Sequence, residues 1–290
     1  MPESMNQKTF SFCAVDATCK QTEGLSSSES LQLPINPKPW PPDGVDWYYS
    51  DKSCAIALGD CRDVLPTLGK FDLLLTDPPY GVSQPGVAND SKAIGKGTRS
   101  LDFFDDDTPQ TAESHAVFLG DQSRRMLSVD GSGYAWVGHR QFGTLVSQLE
   151  ADGWKTRFLV WVKKFVPPQM PGSGWPSGAE LCLYWFRPGR IWNHDGFTCP
   201  RSNVISADSY RYGQPGKNGH PTQKPFGCIS PLIVASSNIG STILDPFMGS
   251  GTTLRAAKDL GRKAVGIEIE EKYCEIAAQR LSQEVMDLGV

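Results

Sequence analysis

The stretch Leu73-Leu74-Leu75-Thr76-Asp77-Pro78-Pro79-Tyr80 decides how this chain is read. An apolar run of strand length stops at a carboxylate, two prolines that cannot donate to a sheet ladder, and an aromatic. Open α/β sheets bind their ligands just beyond the carboxyl ends of their strands. Asp77 can accept a hydrogen bond from an amino group, and the prolines, whose nitrogens carry no hydrogen, offer carbonyl acceptors and no donors. Tyr80 supplies a flat face for a planar heterocycle, an interaction of about 1–3 kcal/mol per base. An exocyclic amino group on a nucleobase meets both demands. A plain turn closing a buried strand reads equally well from these residues alone, so a partner motif must decide.

Outward from this corner, residues 53–60 read as a short strand ending in a Gly-Asp turn, and a helical stretch around 63–68 leads into the central strand at 72–76. Apolar spacing predicts a helix over 111–127, a strand over 133–137, a helix over 141–151 and a strand over 157–162. The alternation predicts a doubly wound α/β sheet. Two segments break it. Residues 81–107 turn to Gly, Ser, Asn, Lys and a cluster of acids; a loop of this length directly after the corner is a candidate lid or DNA-contacting loop. Residues 167–176 read as loop, 181–186 as a strand, and 187–220 as irregular, basic and aromatic, the natural place for substrate recognition.

The partner motif lies near the other end. His220-Pro221-Thr222-Gln223-Lys224-Pro225 opens a helical stretch to about 237, and 242–245 is a short strand. Pro246-Phe247-Met248-Gly249-Ser250-Gly251-Thr252-Thr253 follows at once, then a helix to 260, a strand at 263–267 closed by Glu268, and a terminal helix from 271 to about 285. Strand, glycine loop, helix, strand, acid is the layout of a nucleotide-binding βαβ unit. Gly249 and Gly251 let backbone approach a ligand at a helix N-terminus, and Glu268 can take both hydroxyls of a ribose. No Gly-Lys-Ser/Thr follows, so the loop is not a P-loop. Leu254 stands where the third glycine of a dinucleotide fingerprint would be, which disfavours an oxidoreductase.

Taken together, Asp77-Pro78-Pro79-Tyr80, the 220–225 segment and Asp245-Pro246-Phe247-Met248-Gly249-Ser250-Gly251-Thr252-Thr253 resemble the hallmark motifs of amino-DNA methyltransferases. The catalytic motif precedes the cofactor motif, the permuted order of the β group, and the resemblance covers roughly residues 53–285. It implies a Rossmann-like methyltransferase sheet with a small inserted target-recognition region and S-adenosylmethionine as cofactor. It implies that Asp245, Phe247, Gly249, Ser250, Gly251, Thr252 and Thr253 form the cofactor loop, with Glu268 on the ribose and Asp60 near the adenine. Thr222, Gln223 and Lys224 match the segment that holds the methionine end. Asp77, Pro78, Pro79 and Tyr80 would hold a flipped base and transfer the methyl directly, with no covalent enzyme intermediate. The chain has Cys199-Pro200 but no Pro-Cys, which argues against the C5-cytosine type. In this family an Asp at the first position accompanies N6-adenine more often than N4-cytosine, so adenine is favoured and cytosine is the alternative. Enzymes that methylate RNA amines or protein glutamines share a Pro-Pro-Tyr corner, yet they place the cofactor loop first and carry Asn where Asp77 stands. A non-catalytic DNA-binding subunit that has kept the fold is a third reading, disfavoured by the intact motifs.

The remaining features bound this reading. The formal net charge is −4, but residues 155–224 carry ten Lys and Arg against three acids, a plausible phosphate-facing surface. Eight cysteines show no metal-ligand spacing and no disulfide framework, so no metal is expected. The absence of a signal segment or long apolar run predicts a cytoplasmic protein with no membrane contact. Expected partners are double-stranded DNA and, where a restriction system exists, an endonuclease; the sequence leaves the oligomeric state open. The organisation read here is an extension and Pro/aromatic arm at 1–50, partly flexible, a catalytic half at 51–164, a target-recognition region at 165–220 and a cofactor half at 221–290. The aromatics Trp40, Trp47, Tyr48 and Tyr49 of the arm are expected to dock on the domain.

Overall fold

Leu73, Leu74 and Leu75 are all fully buried, and they face alternate sides of a sheet. Leu73 and Leu75 join one apolar cluster with Cys228, Ile229, Leu232, Leu254 and Ala277; Leu74 joins the other with Leu65, Ala116, Leu119, Leu145 and Leu149. A strand covered on both faces needs a continuous apolar run, which is what the sequence supplies. The computed structural model describes residues 39–81, 109–164, 166, 175, 177–193, 202–208 and 223–283. All of them lie within the unit Lys38–Glu284.

In chain order the elements are β1 (Tyr49–Ser50), β2 (Cys54–Leu58), α1 (Cys61–Val64), a 3-10 turn (Leu65–Thr67), β3 (Phe71–Thr76), α2 (Pro109–Met126), β4 (Leu127–Val137), α3 (His139–Ala151), β5 (Lys155–Lys163) and β6 (Ala179–Phe186). They continue with β7 (Val204–Ala207), α4 (Phe226–Ser236), β8 (Thr242–Asp245), α5 (Thr252–Asp259), β9 (Lys263–Glu268) and α6 (Glu271–Ser282). The sheet order is β1-β2-β9-β8-β3-β4-β6-β5-β7. Neighbours from β2 to β4 are parallel, β6 runs antiparallel to both β4 and β5, and β5 and β7 are parallel. Apolar residues of α1–α3 lie in the Leu74 cluster and those of α4–α6 in the Leu73 cluster, giving the doubly wound arrangement expected.

Strands β3 and β8 are neighbours whose onward connections leave in opposite directions, β3 toward β4 and β8 toward β9. A crevice opens at the carboxyl ends of two such strands. The pair is pinned at both ends. Asp72 accepts from the Thr242 amide at 2.7 Å and its hydroxyl at 3.0 Å, and the Thr76 hydroxyl donates to Asp245 at 2.9 Å. The crevice between Asp77 and Asp245 is therefore fixed by the sheet and not by loops.

The structure differs from the sequence expectation in several places. β7 lies inside the segment read as irregular; its burial alternates exposed, buried, exposed, buried over four residues, too short a pattern to read. β4 begins at Leu127, directly after α2 and without turn residues between them, whereas the apolar spacing predicts a helix through Leu127 and a strand only from Gly133. α4 starts only at Phe226, with Pro225 as its extended N-cap. In the arm, Trp40 and Trp47 pack against the Leu74 cluster, and the Trp40 indole donates to the Asp51 carbonyl at 3.0 Å. The stretches 82–108 and 209–222, where lid and recognition loops were expected, lie outside the described residues, as does Thr222.

Candidate active site

At the end of β3 the chain turns through Asp77, the buried Pro78 and Pro79 to Tyr80. Both oxygens of Asp77 are engaged: the Tyr80 hydroxyl donates to Oδ1 at 2.7 Å, and the Lys224 ammonium sits 2.5 Å from Oδ2. Lys224 also lies 3.0 Å from the Tyr80 hydroxyl and 3.1 Å from Glu180 Oε2. Glu180 is braced in turn by Lys163, 2.8 Å from its other oxygen. Tyr80, Lys163, Glu180 and Lys224 thus close on Asp77 at the carboxyl edge of the sheet. Burial pushes the Asp77 carboxyl above its ordinary value, with Lys224 opposing and the Glu180 charge adding to the rise. Burial alone would lower Lys224, but the carboxylates of Asp77 and Glu180 hold it above its usual range. Burial likewise works against Glu180, and there the two lysines prevail and keep it low. Tyr80 is raised well above normal by burial and by Asp77 and Glu180, so its hydroxyl remains a donor.

Gln141, fully buried in the first turn of α3, holds the corner in place. Its side-chain NH2 donates to the Pro79 carbonyl at 2.8 Å and to the Ala112 carbonyl at 3.1 Å, and its Oε1 accepts from the Gly138 amide at 2.9 Å. One side chain therefore ties the catalytic turn to α2 and to the end of β4.

On the other side of the crevice, β8 ends in Asp245. Burial pushes its carboxyl up to about 7, against the Thr253 and Thr76 hydroxyls and the Phe247 amide. The loop to α5 passes Gly249 and Gly251, both with positive φ, and a Cβ at Gly251 would press on Ala277 of α6 at 2.8 Å. Glu268 at the tip of β9 is buried, and its oxygens accept the Gly249 and Glu270 amides, each at 2.9 Å. Burial raises its pKa. The Gly59 amide donates to the Glu268 carbonyl at 2.9 Å, which brings the Asp60 turn alongside. Asp60 caps α1 and is paired with Arg62. Phe247 meets the His115 ring of α2 edge-on, with centroids 4.9 Å apart, and Thr252 accepts from Arg280 at 3.1 Å.

The profile of the DNA methylase family whose members modify N6 or N4 amino groups matches residues 71–279. The chain belongs to this family. Among curated relatives, the type II methyltransferase M.HpaI of Haemophilus parainfluenzae is 29% identical over 232 residues, 74% of this chain and 69% of the relative. The type II methyltransferase M2.MboI of Moraxella bovis is 26% identical over 241 residues, 79% of this chain and 88% of the relative. Among solved structures, the cytosine-N4-specific PvuII DNA methyltransferase superposes with a TM-score of 0.64 at 15% identity, over 84% of this chain and 92% of that one. The M1.HpyAVI–SAM complex gives 0.60 at 22% identity, over 79% of this chain and 100% of that one. At such identities the two structures bear on the fold alone: a mixed α/β methyltransferase sheet.

In this DNA methylase the sequence-nominated residues fall into two groups facing one crevice. Asp77, Pro78, Pro79, Tyr80 and Lys224 form one; Asp245, Phe247, Gly249, Ser250, Gly251, Thr252, Thr253 and Glu268 form the other, with the Asp60 turn beside Glu268. Gln223 is buried next to Lys224 in sequence. Lys224, matched by resemblance to the cofactor's methionine end, has its ammonium on Asp77 and Glu180 in this structure. Three further residues were missed: Glu180, Lys163 and Gln141. The acid opening an apolar strand at 180 was a faint signal for the first; the other two carried none. Among the described residues no group of His, Cys, Asp and Glu is placed to hold a metal, and no helix is long and apolar enough to cross a membrane.

Proposed function

We propose that this DNA methylase transfers a methyl group from S-adenosylmethionine to the exocyclic amino group of a base flipped out of double-stranded DNA, with adenine N6 as the acceptor. The observation that carries the reading is the Asp77–Tyr80 corner opposite the Gly249–Gly251 loop across one crevice, within a chain of the N6/N4 family.

The residues around Glu268 fit the cofactor. Its buried carboxylate accepts from backbone amides, the Gly249 and Glu270 amides among them, and a carboxylate so bound keeps lone pairs for the hydroxyls of a ribose. Ile269, 62% exposed directly after it, offers apolar surface for the adenine, and Asp60 stands on the adjoining turn. The left-handed glycines and the amides opening α5 suit a ligand that approaches backbone closely. Bound there, S-adenosylmethionine supplies a methyl group activated by its sulfonium.

The protein's own contribution is positioning and charge. Asp77 accepts a hydrogen of the target amino group, and the Pro78 carbonyl takes the second, which directs the nitrogen lone pair toward the crevice. Tyr80 offers its ring to the base and offsets part of the unstacking cost, a few kcal/mol. The basic segment 155–224 faces phosphates in this reading, and a restriction endonuclease acting on the same site is compatible with the type II relatives. Adenine is preferred because of the Asp at position 77; N4-cytosine is the second reading, the specificity of the PvuII enzyme.

The test is incubation with labelled S-adenosylmethionine and mixed-sequence duplex DNA, followed by digestion to nucleosides and mass analysis. N6-methyladenine is the expected product. N4-methylcytosine would keep the mechanism and overturn the choice of base; no labelled nucleoside would overturn the DNA assignment.

A further inference from the structure

We infer that Glu180 is a positioning residue for methyl transfer: it shares the Lys224 ammonium with Asp77, so that Asp77 keeps part of its negative charge for the target amino group. The inference rests on the assignment of Asp77 and Tyr80 in the proposed function.

The geometry sets the problem that Glu180 solves. Asp77 has an ammonium at 2.5 Å on one oxygen and a phenol at 2.7 Å on the other. A carboxylate so occupied keeps lone pairs to accept from an amine, but an ammonium against it offsets much of its charge. Methyl transfer needs that charge. The nitrogen lone pair forms the new N–C bond as the C–S bond breaks, positive charge passes from sulfur to nitrogen, and the methylated amine then releases a proton to water. A neutralised Asp77 would do little for the cationic nitrogen.

Glu180 supplies a second destination for Lys224. Its Oε2 is 3.1 Å from the ammonium and 3.4 Å from the Tyr80 hydroxyl, while its Oε1 is held by Lys163 at 2.8 Å. It is a built position. The antiparallel register sets Ala179 of β6 opposite Val162 of β5, which puts Glu180 and Lys163 together at the carboxyl edge of the sheet. Two carboxylates and two ammonium groups make the cluster neutral, and each ammonium touches Glu180. Without the Glu180 charge, Lys224 has Asp77 as its sole carboxylate and Lys163 adds an unbalanced positive charge nearby.

The experiment compares Glu180→Gln with wild type in steady-state methylation across pH and in a carbon-13 NMR titration of Asp77 in the free protein. Among the described residues, the groups facing Asp77 are Lys224, Tyr80, Glu180 and Asp245, with the Cys182 thiol held neutral by burial. Because the Glu180 charge raises Asp77, its removal lets Asp77 titrate lower. The acid limb of kcat and the NMR midpoint therefore move to lower pH. The expected kcat loss is about tenfold, the scale for a residue that supports a reacting group, with DNA KM and cofactor Kd within about twofold. Glu180→Asp should recover part of kcat, and Lys163→Gln should lower it less, in the same direction. A wild-type kcat with an unmoved acid limb overturns the inference. So does a kcat loss matched by lost cofactor binding or thermal stability with the Asp77 midpoint unchanged, which would make Glu180 merely structural. Asp77→Ala in the same assay separates the two levels: if it stays active, the proposed function itself falls.

Discussion

The two sides of the crevice handle buried acids in opposite ways. At the β3 side, Asp77 and Glu180 are matched by Lys224 and Lys163. At the β8 side, Asp245 and Glu268 are met by hydroxyls and backbone amides, and burial raises both. The chemistry explains the division. In the proposed function positive charge develops on a nitrogen at the β3 side, and there Lys224 opposes the rise that burial gives Asp77. At the β8 side the acids would, in the proposed function, receive hydroxyls or brace a turn, for which neutral donors suffice.

Replacing Asp77 by Ala breaks the charged side most severely. Methyl transfer should fall by about a thousandfold or more, the scale for losing a group that acts on the reacting atom, while calorimetry finds cofactor affinity nearly unchanged. Glu268→Ala strikes the other side and should do the reverse. Cofactor Kd should weaken by about 10–100-fold, the worth of hydrogen bonds to a charged acceptor, with kcat at saturating cofactor within a few-fold of wild type. Should both variants lose binding and turnover alike, the two sides are not separable.

Gln141→Ala probes the scaffold beneath the corner. It strands the Pro79 carbonyl and the Gly138 amide and takes one donor from the Ala112 carbonyl, so denaturant unfolding should show a loss of about 1–3 kcal/mol, and kcat should fall about tenfold with cofactor Kd unchanged. Asp245→Asn is read in the pH dependence of stability and not in turnover. In the folded protein Asp245 keeps its proton up to about pH 7, whereas in the unfolded chain it gives it up near 3.8. Between those values the folded state binds more protons, so its contribution to stability declines as pH rises through that window and levels off above it. The amide removes that slope, and thermal melts of the ligand-free protein from pH 5 to 8 should then be flatter than wild type.

What could be read from the sequence follows from how locally each feature is encoded. The fully buried strand β3 announced itself as a leucine run, and the β8-loop-α5-β9 unit is contiguous, so its strand, glycines and closing acid could be placed without knowing any other part of the chain. Lys224 was nominated, but for the cofactor, because only the fold reveals that its ammonium meets a carboxylate 147 residues away. Glu180 and Lys163 depend on the register of β5 against β6, which no local pattern specifies. Gln141 looks like any polar residue in a first helical turn; its value lies in three partners supplied by three different segments.

The pairing of β2 with β9 has a consequence for how the chain is assembled. β2 is among the first strands to be synthesised, yet its inner neighbour in the sheet is the last strand, and the Asp51–Lys258 ion pair beside it spans 207 residues. Contacts between such distant partners carry a large loop-closure cost and fold late. The Asp60 turn, which hangs from the Glu268 carbonyl, is therefore completed only after β9 has been made. A ribosome-bound chain that ends between residues 224 and 263 holds the Asp77–Lys224 corner without the strand that carries Glu268, so in the proposed function the capacity to modify DNA arrives in a single late event and not by degrees.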